Sequence, residues 1–241
     1  MGAYYFLACL LPPLPSSLGE KLAVSFPKIL QIVRRQINSE DDQLLRAQLS
    51  VIDAANWESI DQGKDFFLDG GTMTREEMET GKNLPDFIRT FVDEKEQGIR
   101  YPHIYDRLWE LCYGSLLALA EEEGCRYLID YTVWEIELRN RLTALRLRDS
   151  EGNIAEHTVM PGIRSFDFAA LVSQLEVQKS PLEAERIIDS ERLKQIYHYQ
   201  GVDSFSLDAI LAFLARAAIY SRWERLRIPY DIHNFLYNSG G

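Results

Sequence analysis

His103, Asp106 and Glu110 stand three and four residues apart, which would set an imidazole and two carboxylates on one side of a helix. Such a trio could in principle meet a metal ion or pass a proton; the plainer reading is a solvated helix edge. His103, His157, His198 and His233 form no HExxH or ExxH pair of the kind that helical zinc and di-iron sites use. His198 lies between Tyr197 and Tyr199, an aromatic group at a helix end whose ordinary role is packing. The chain has no G-x-x-x-x-G-K-[ST] or G-x-G-x-x-G phosphate loop and no G-x-S-x-G elbow, which argues against nucleotide hydrolysis and against that route to acyl transfer. Cys9, Cys112 and Cys125 are odd in number and lack CxxC spacing, so neither a disulfide framework nor a zinc site is indicated, and a reducing cytoplasm fits. No catalytic, cofactor-binding or metal-ligating residues are assigned, and no cofactor is expected.

The remaining constellation is basic. Arg139, Arg141, Arg146 and Arg148 crowd one segment, with Asn140 among them. Arginines suit a helix C-terminus electrostatically, so a capping role is the simple account. Their density on one element of an acidic chain also suits a partner-binding surface. The segment that must position them is Tyr127 to Arg148. Tyr127, Tyr131, Trp134, Leu138, Leu142 and Leu145 recur at helical steps and line one face. Glu135 stands four residues before Arg139, and Glu137 four before Arg141, the orientation that best supports a helix. Asn140 falls instead on a second apolar stripe with Ile129, Val133 and Ile136. A buried amide without partners would cost about 1–3 kcal/mol there. Asn140 therefore either fixes helix register, as single buried asparagines do, or forms part of a docking surface with its flanking arginines.

The rest of the chain also reads as helix. Ser25 can cap a helix carrying Phe26, Ile29, Leu30, Val33 and Ile37, with Pro27 tolerated in its first turn. Ser39 can cap the next, with Asp42 at its third position. Gly70-Gly71 marks a turn, followed by a Thr74/Glu77 capping box. Leu84, Phe87, Ile88 and Phe91 make another amphipathic stretch. Pro102 introduces a long helix that Gly124 should stop. Acidic Glu121-Glu122-Glu123 oppose the dipole at its end and read as a solvated face, with an acidic docking patch as the other account. Gly152 to Gly162 is the best loop candidate. Ser180, Pro181 and Glu183 start a helix running toward Gly201, and a last one runs from Ser206 to Arg227, before Pro229. Only Tyr4 to Leu11 and Ile154 to Met160 could be extended. The expected fold is all-α, a multi-helix bundle over residues 1–241, with two related sub-bundles, 1–100 and 101–241, as a possible internal division.

The 241-residue chain is long enough to bury a sizeable core, and 46% apolar with 26% charged residues is an ordinary globular balance. A net charge of −11 argues against a nucleic-acid face and favours solubility or a basic partner. Gly2 to Leu14 is apolar, but no Lys or Arg precedes Lys21 and Pro12, Pro13 and Pro15 interrupt it, so neither a secretory leader nor a membrane span is expected.

The grouping Glu135, Glu137, Arg139, Asn140, Arg141, Arg148 and Gly152 resembles helices of the C subunit of V-type and A-type ATPases, called d in eukaryotic V-ATPases. Tyr4-Tyr5-Phe6-Leu7, Leu11-Pro12, Leu14, Asp53, Asn56, Gly70-Gly71, Thr74, Arg216, Arg222, Trp223 and Glu224 look more like a shorter bacterial family whose genes accompany V-type ATPase operons. The resemblance implies a non-catalytic central-stalk subunit, a helical socket that couples the rotor shaft to the membrane proteolipid ring. It would be cytoplasmic, held at the inner membrane through those shaft and ring partners. The C subunit has three similar helical units, and this chain is too short for three of that size. A helical adaptor outside the ATPase and a metal-binding helical enzyme are the competing readings.

Overall fold

The computed structural model describes residues 3–148 and 154–226. Over these residues the chain is an all-α multi-helix bundle, and no strand occurs among them. The helices are α1 (Tyr5–Leu10), α2 (Phe26–Arg34), α3 (Ser39–Asp61), α4 (Arg75–Thr80), α5 (Asp86–Glu96), α6 (Ile104–Glu122), α7 (Arg126–Leu147), α8 (Ala169–Glu176), α9 (Pro181–Tyr199) and α10 (Leu207–Leu226), with a 3-10 turn at Ile154–His157. The two segments that could have been extended are therefore helical in part: Tyr5–Leu10 is α1, and the 3-10 turn opens the second. Neither alternates polar and apolar side chains in the way a half-buried strand requires.

Local chemistry sets several helix ends, although Ser25, at the N-cap of α2, makes no side-chain cap bond. Thr74 and Glu77 form the reciprocal capping box, with Thr74 N–H donating to Glu77 at 2.9 Å and Glu77 N–H donating to Thr74 at 3.2 Å. Ser180 caps α9 and Pro181 occupies its first position. Gly124 ends α6 at φ +66°. The α3 cap is one residue earlier than expected: Asn38, not Ser39, accepts the Asp41 N–H at 2.7 Å. Asparagine reaches that N–H as well as serine does, and here it also donates to the Asp41 carboxylate.

Packing places α7 at the centre. It lies against α6, α9 and α10, while α3 and α5 pack on α6. The expected division near residue 100 thus falls between α5 and α6, two helices in mutual contact. Tyr127 and Leu128 join a core built from α2, α3 and α10. Val133 and Ile136 join one built from α5 and α6, and Trp134 and Leu138 join α8 and α9. A helix that serves three cores must be apolar on most of its surface, which explains its two stripes. Among the described residues no helix is long and apolar enough to cross a membrane.

Candidate functional groove

Between α3, α6, α7, α9 and α10 the bundle does not close. A groove of about 680 Å³ is left, lined along α7 from Tyr127 to Arg146. At 1.5 Å per residue that wall is about 28 Å long, so the space is elongated. Ala215, Ala218 and Ser221 line it from α10 beside the larger Leu214 and Ile219.

One wall is an ion network. Arg192 of α9 donates to both carboxylate oxygens of Glu135 on α7 at 2.5–3.1 Å, and to Asp189 at 2.9 Å. Asp189 also accepts from Arg222 at 2.7 Å and from the Trp223 indole N–H at 2.7 Å, and Arg222 reaches Glu185 at 2.5 Å. Asp189 is only 1% exposed. Burial opposes the charge of Arg192, but the neighbouring Glu135 more than offsets it and holds the guanidinium well above its ordinary range. Two arginines between three carboxylates satisfy one another, so this wall is fixed before anything enters the groove.

The sequence-predicted arginines divide. Arg139 lines the groove but is engaged: it donates to Asp106 at 3.1 Å and lies 4.7 Å over the Trp109 ring. Arg148 pairs with Glu176 of α8. Arg141 is exposed away from the groove. Arg146 is exposed and lines it, as does Arg225 at the end of α10, and neither forms an ion pair among the described residues. Among the described residues neither helix pair expected within α7 forms; Glu135 and Arg139 are drawn instead to oppositely charged partners on neighbouring helices. Asn140 is 8% exposed, and its amide bonds both backbone groups of Val159 at 2.8 Å. That is a complete account of the amide: it pins the segment after the 3-10 turn onto α7.

The other singled-out residues also hold the chain together. Asp53 is fully buried and accepts from Thr72 N–H at 2.9 Å, from the Thr72 hydroxyl at 2.6 Å and from Met73 N–H at 3.2 Å. Gly71 has no room for a Cβ, which would overlap the Asp53 carboxylate. Asn56 donates to Leu68 C=O at 2.9 Å and accepts from its N–H at 2.7 Å. Tyr4 donates its hydroxyl to Asp41. Asp106 and Glu110 are taken by Arg139 and Arg107, and His103 stacks on His157 with ring centroids 3.5 Å apart. Among the described residues no three histidine, cysteine or acidic side chains are placed to hold a metal ion. Burial pushes the Cys112 thiol up to about 12, so it stays protonated. Gly152, Arg227, Pro229 and His233 lie outside the described residues.

Asp189 and Arg192 were not singled out in the sequence. The signal was the one that marked Asn140: Asp189 shares an apolar stripe with Leu193 and Ile196, four and seven residues on. Neither the curated proteins nor the solved structures contain a match to this chain. The family model described as protein of unknown function (DUF2764) matches residues 1–228, nearly the whole length, and the chain belongs to that family.

Proposed function

We propose that this chain is a non-catalytic helical docking subunit that receives a partner helix in the groove, and that the partner belongs to the central stalk of a V-type ATPase. The observation that carries docking is the groove itself: elongated, walled by aliphatic and tyrosine side chains, and bordered by Arg146 and Arg225, which have no acidic partner among the described residues. In a chain of net charge −11, two such arginines beside an apolar floor complement a helix with acids flanking an apolar face. The ionisable groups of the wall are committed to one another, which suits a rigid receptor. The ATPase assignment rests on the sequence resemblance in α7, α3 and α10. In that setting the bundle transmits torque as a stiff body between shaft and ring.

The test is capture by the tagged full chain of purified stalk and ring proteins from a V-type ATPase. Retention of the stalk, weakened by added salt and by Arg146→Glu with Arg225→Glu, is the expected result. Capture of neither stalk nor ring removes the ATPase assignment and leaves an adaptor for another assembly.

A further inference from the structure

Arg216 sits on the side of α10 that does not line the groove. It is half-buried, and its Nε is sealed from water without a hydrogen-bond partner. Its two terminal nitrogens are not sealed in this way, and Arg216 forms no ion pair among the described residues. The other half-buried arginines, Arg75, Arg107, Arg139, Arg192 and Arg222, each pair with an acid. Burial holds the Arg216 guanidinium below its ordinary range. The titratable groups that act on it are Tyr127, Tyr220 and Tyr197, with no carboxylate among them. A partly desolvated charge without a counter-charge is costly, which sets this arginine apart.

The surface around it is patterned. Across the seam of α9 and α10, Arg216 lies 6.0 Å from the Tyr197 ring, and Arg186 lies 5.1 Å over the Trp223 ring. Tyr197 is 66% exposed, which puts Arg216 beside solvent. At the far end, Leu182, Arg186, Trp223 and Leu226 line a hollow of about 270 Å³ against the loop carrying Glu20. Leu182 and Leu226 are about half exposed. Arg186 has Glu183 at 3.8 Å and Glu20 in the same hollow, so the unanswered charge lies at the Arg216 end. Arg216 and Trp223 are two turns apart, about 10 Å along the helix.

We infer that this seam is a second docking surface, for a partner helix that sets an Asp or Glu carboxylate on Arg216 and, two turns away, a large apolar side chain between Leu182 and Leu226. Two packed helices leave a furrow in which a third can lie. The guanidinium fork matches a carboxylate with two parallel N–H bonds. The half-exposed leucines beside it favour an anion carried on a protein segment over a free one. The seam is separate from the groove, so the two surfaces can be occupied together.

The experiment selects a displayed library of helical peptides, about 18 residues long, on the immobilised full chain. Expected is enrichment of an Asp or Glu seven residues from a Leu, Ile, Met or Phe. A selected peptide should lose about tenfold in affinity on Arg216→Met and keep its affinity on Arg146→Glu, which alters the groove alone. Selection without acidic enrichment overturns the proposal. A peptide weakened by Arg146→Glu but not by Arg216→Met sits in the groove, which overturns the seam while the docking reading above stands. Free Arg216→Met should melt no lower than wild type, because it removes an unanswered charge and keeps the stem. A melting temperature lower by several degrees shows that the guanidinium already serves the fold, and overturns the proposal. Displacement of the peptide by millimolar inorganic phosphate makes the occupant a free anion and overturns the protein partner. A dimer of the free chain that Arg216→Glu dissociates replaces the partner with a second copy.

Discussion

Gln48 and Asp53 are five residues apart on α3, and both are polar groups carried toward the interior. Asp53 meets Thr72 and Met73 and has every reason to stay where it is, whereas Gln48 bonds one carbonyl and leaves its oxygen bare. The same contrast runs along α7, where Asn140 is answered twice by Val159 and Tyr127 not at all. On one side of the bundle the chain closes its own loops onto helices. On the other it leaves the Tyr127 hydroxyl and Gln48 Oε1 buried without a partner. Clamps of the first kind add stability, and deficits of the second kind subtract from it.

Substitutions can break that contrast or sharpen it. The largest loss is expected for Asp189→Ala, which takes one carboxylate from both Arg192 and Arg222 and leaves the buried Trp223 indole N–H unpaired: about 3–5 kcal/mol, read by denaturant unfolding. A loss under about 1 kcal/mol would mean the groove wall is not built on that network. Asn140→Ala removes both bonds to Val159 and leaves two buried backbone groups unpaired, for about 2–3 kcal/mol, with faster proteolysis near residue 159. Equal protease resistance in the variant would show that something else clamps that segment.

The Glu94–Arg107 pair, remote from the groove, calibrates an ordinary ion pair between α5 and α6. Arg107 donates to Glu94 at 2.8–3.0 Å and holds its carboxyl below the usual range. Because the folded pKa is depressed, the contribution is complete above the unfolded carboxylate value, about 4.3, and is lost as pH falls through the folded value. Glu94→Gln should cost about 1 kcal/mol at pH 7, and the gap from wild type should narrow in acid. A gap that widens in acid would contradict the pairing. Smallest is Arg146→Glu with Arg225→Glu, expected to change stability by no more than about 0.5 kcal/mol while abolishing retention of an acidic helix. A large loss of stability would place those arginines in the fold.

What could be read in advance follows from how local each signal is. Helix positions were legible because apolar spacing, the Thr74/Glu77 box and Pro181 act within a few residues. Helix α8 was missed because Ala169–Glu176 is short and has no side-chain cap. The Asn140 choice was framed correctly, but its partner Val159 lies nineteen residues away across a turn that periodicity does not describe. Glu135 and Arg139 had the right spacing to pair and did not, since longer-range charges compete with an i,i+4 contact worth only about 0.3–0.5 kcal/mol. The groove itself is a gap between five helices, and no local pattern encodes a gap.

Trp109 gives this arrangement an optical consequence. Of the four tryptophans it is the one lining the groove, with Arg139 over its face and its indole N–H donated to Glu58 at 2.8 Å. Indole emission responds to nearby charge and to water, and both change when an apolar segment covers that wall. A change in tryptophan emission on filling of the groove is therefore expected to come from this ring, without a label.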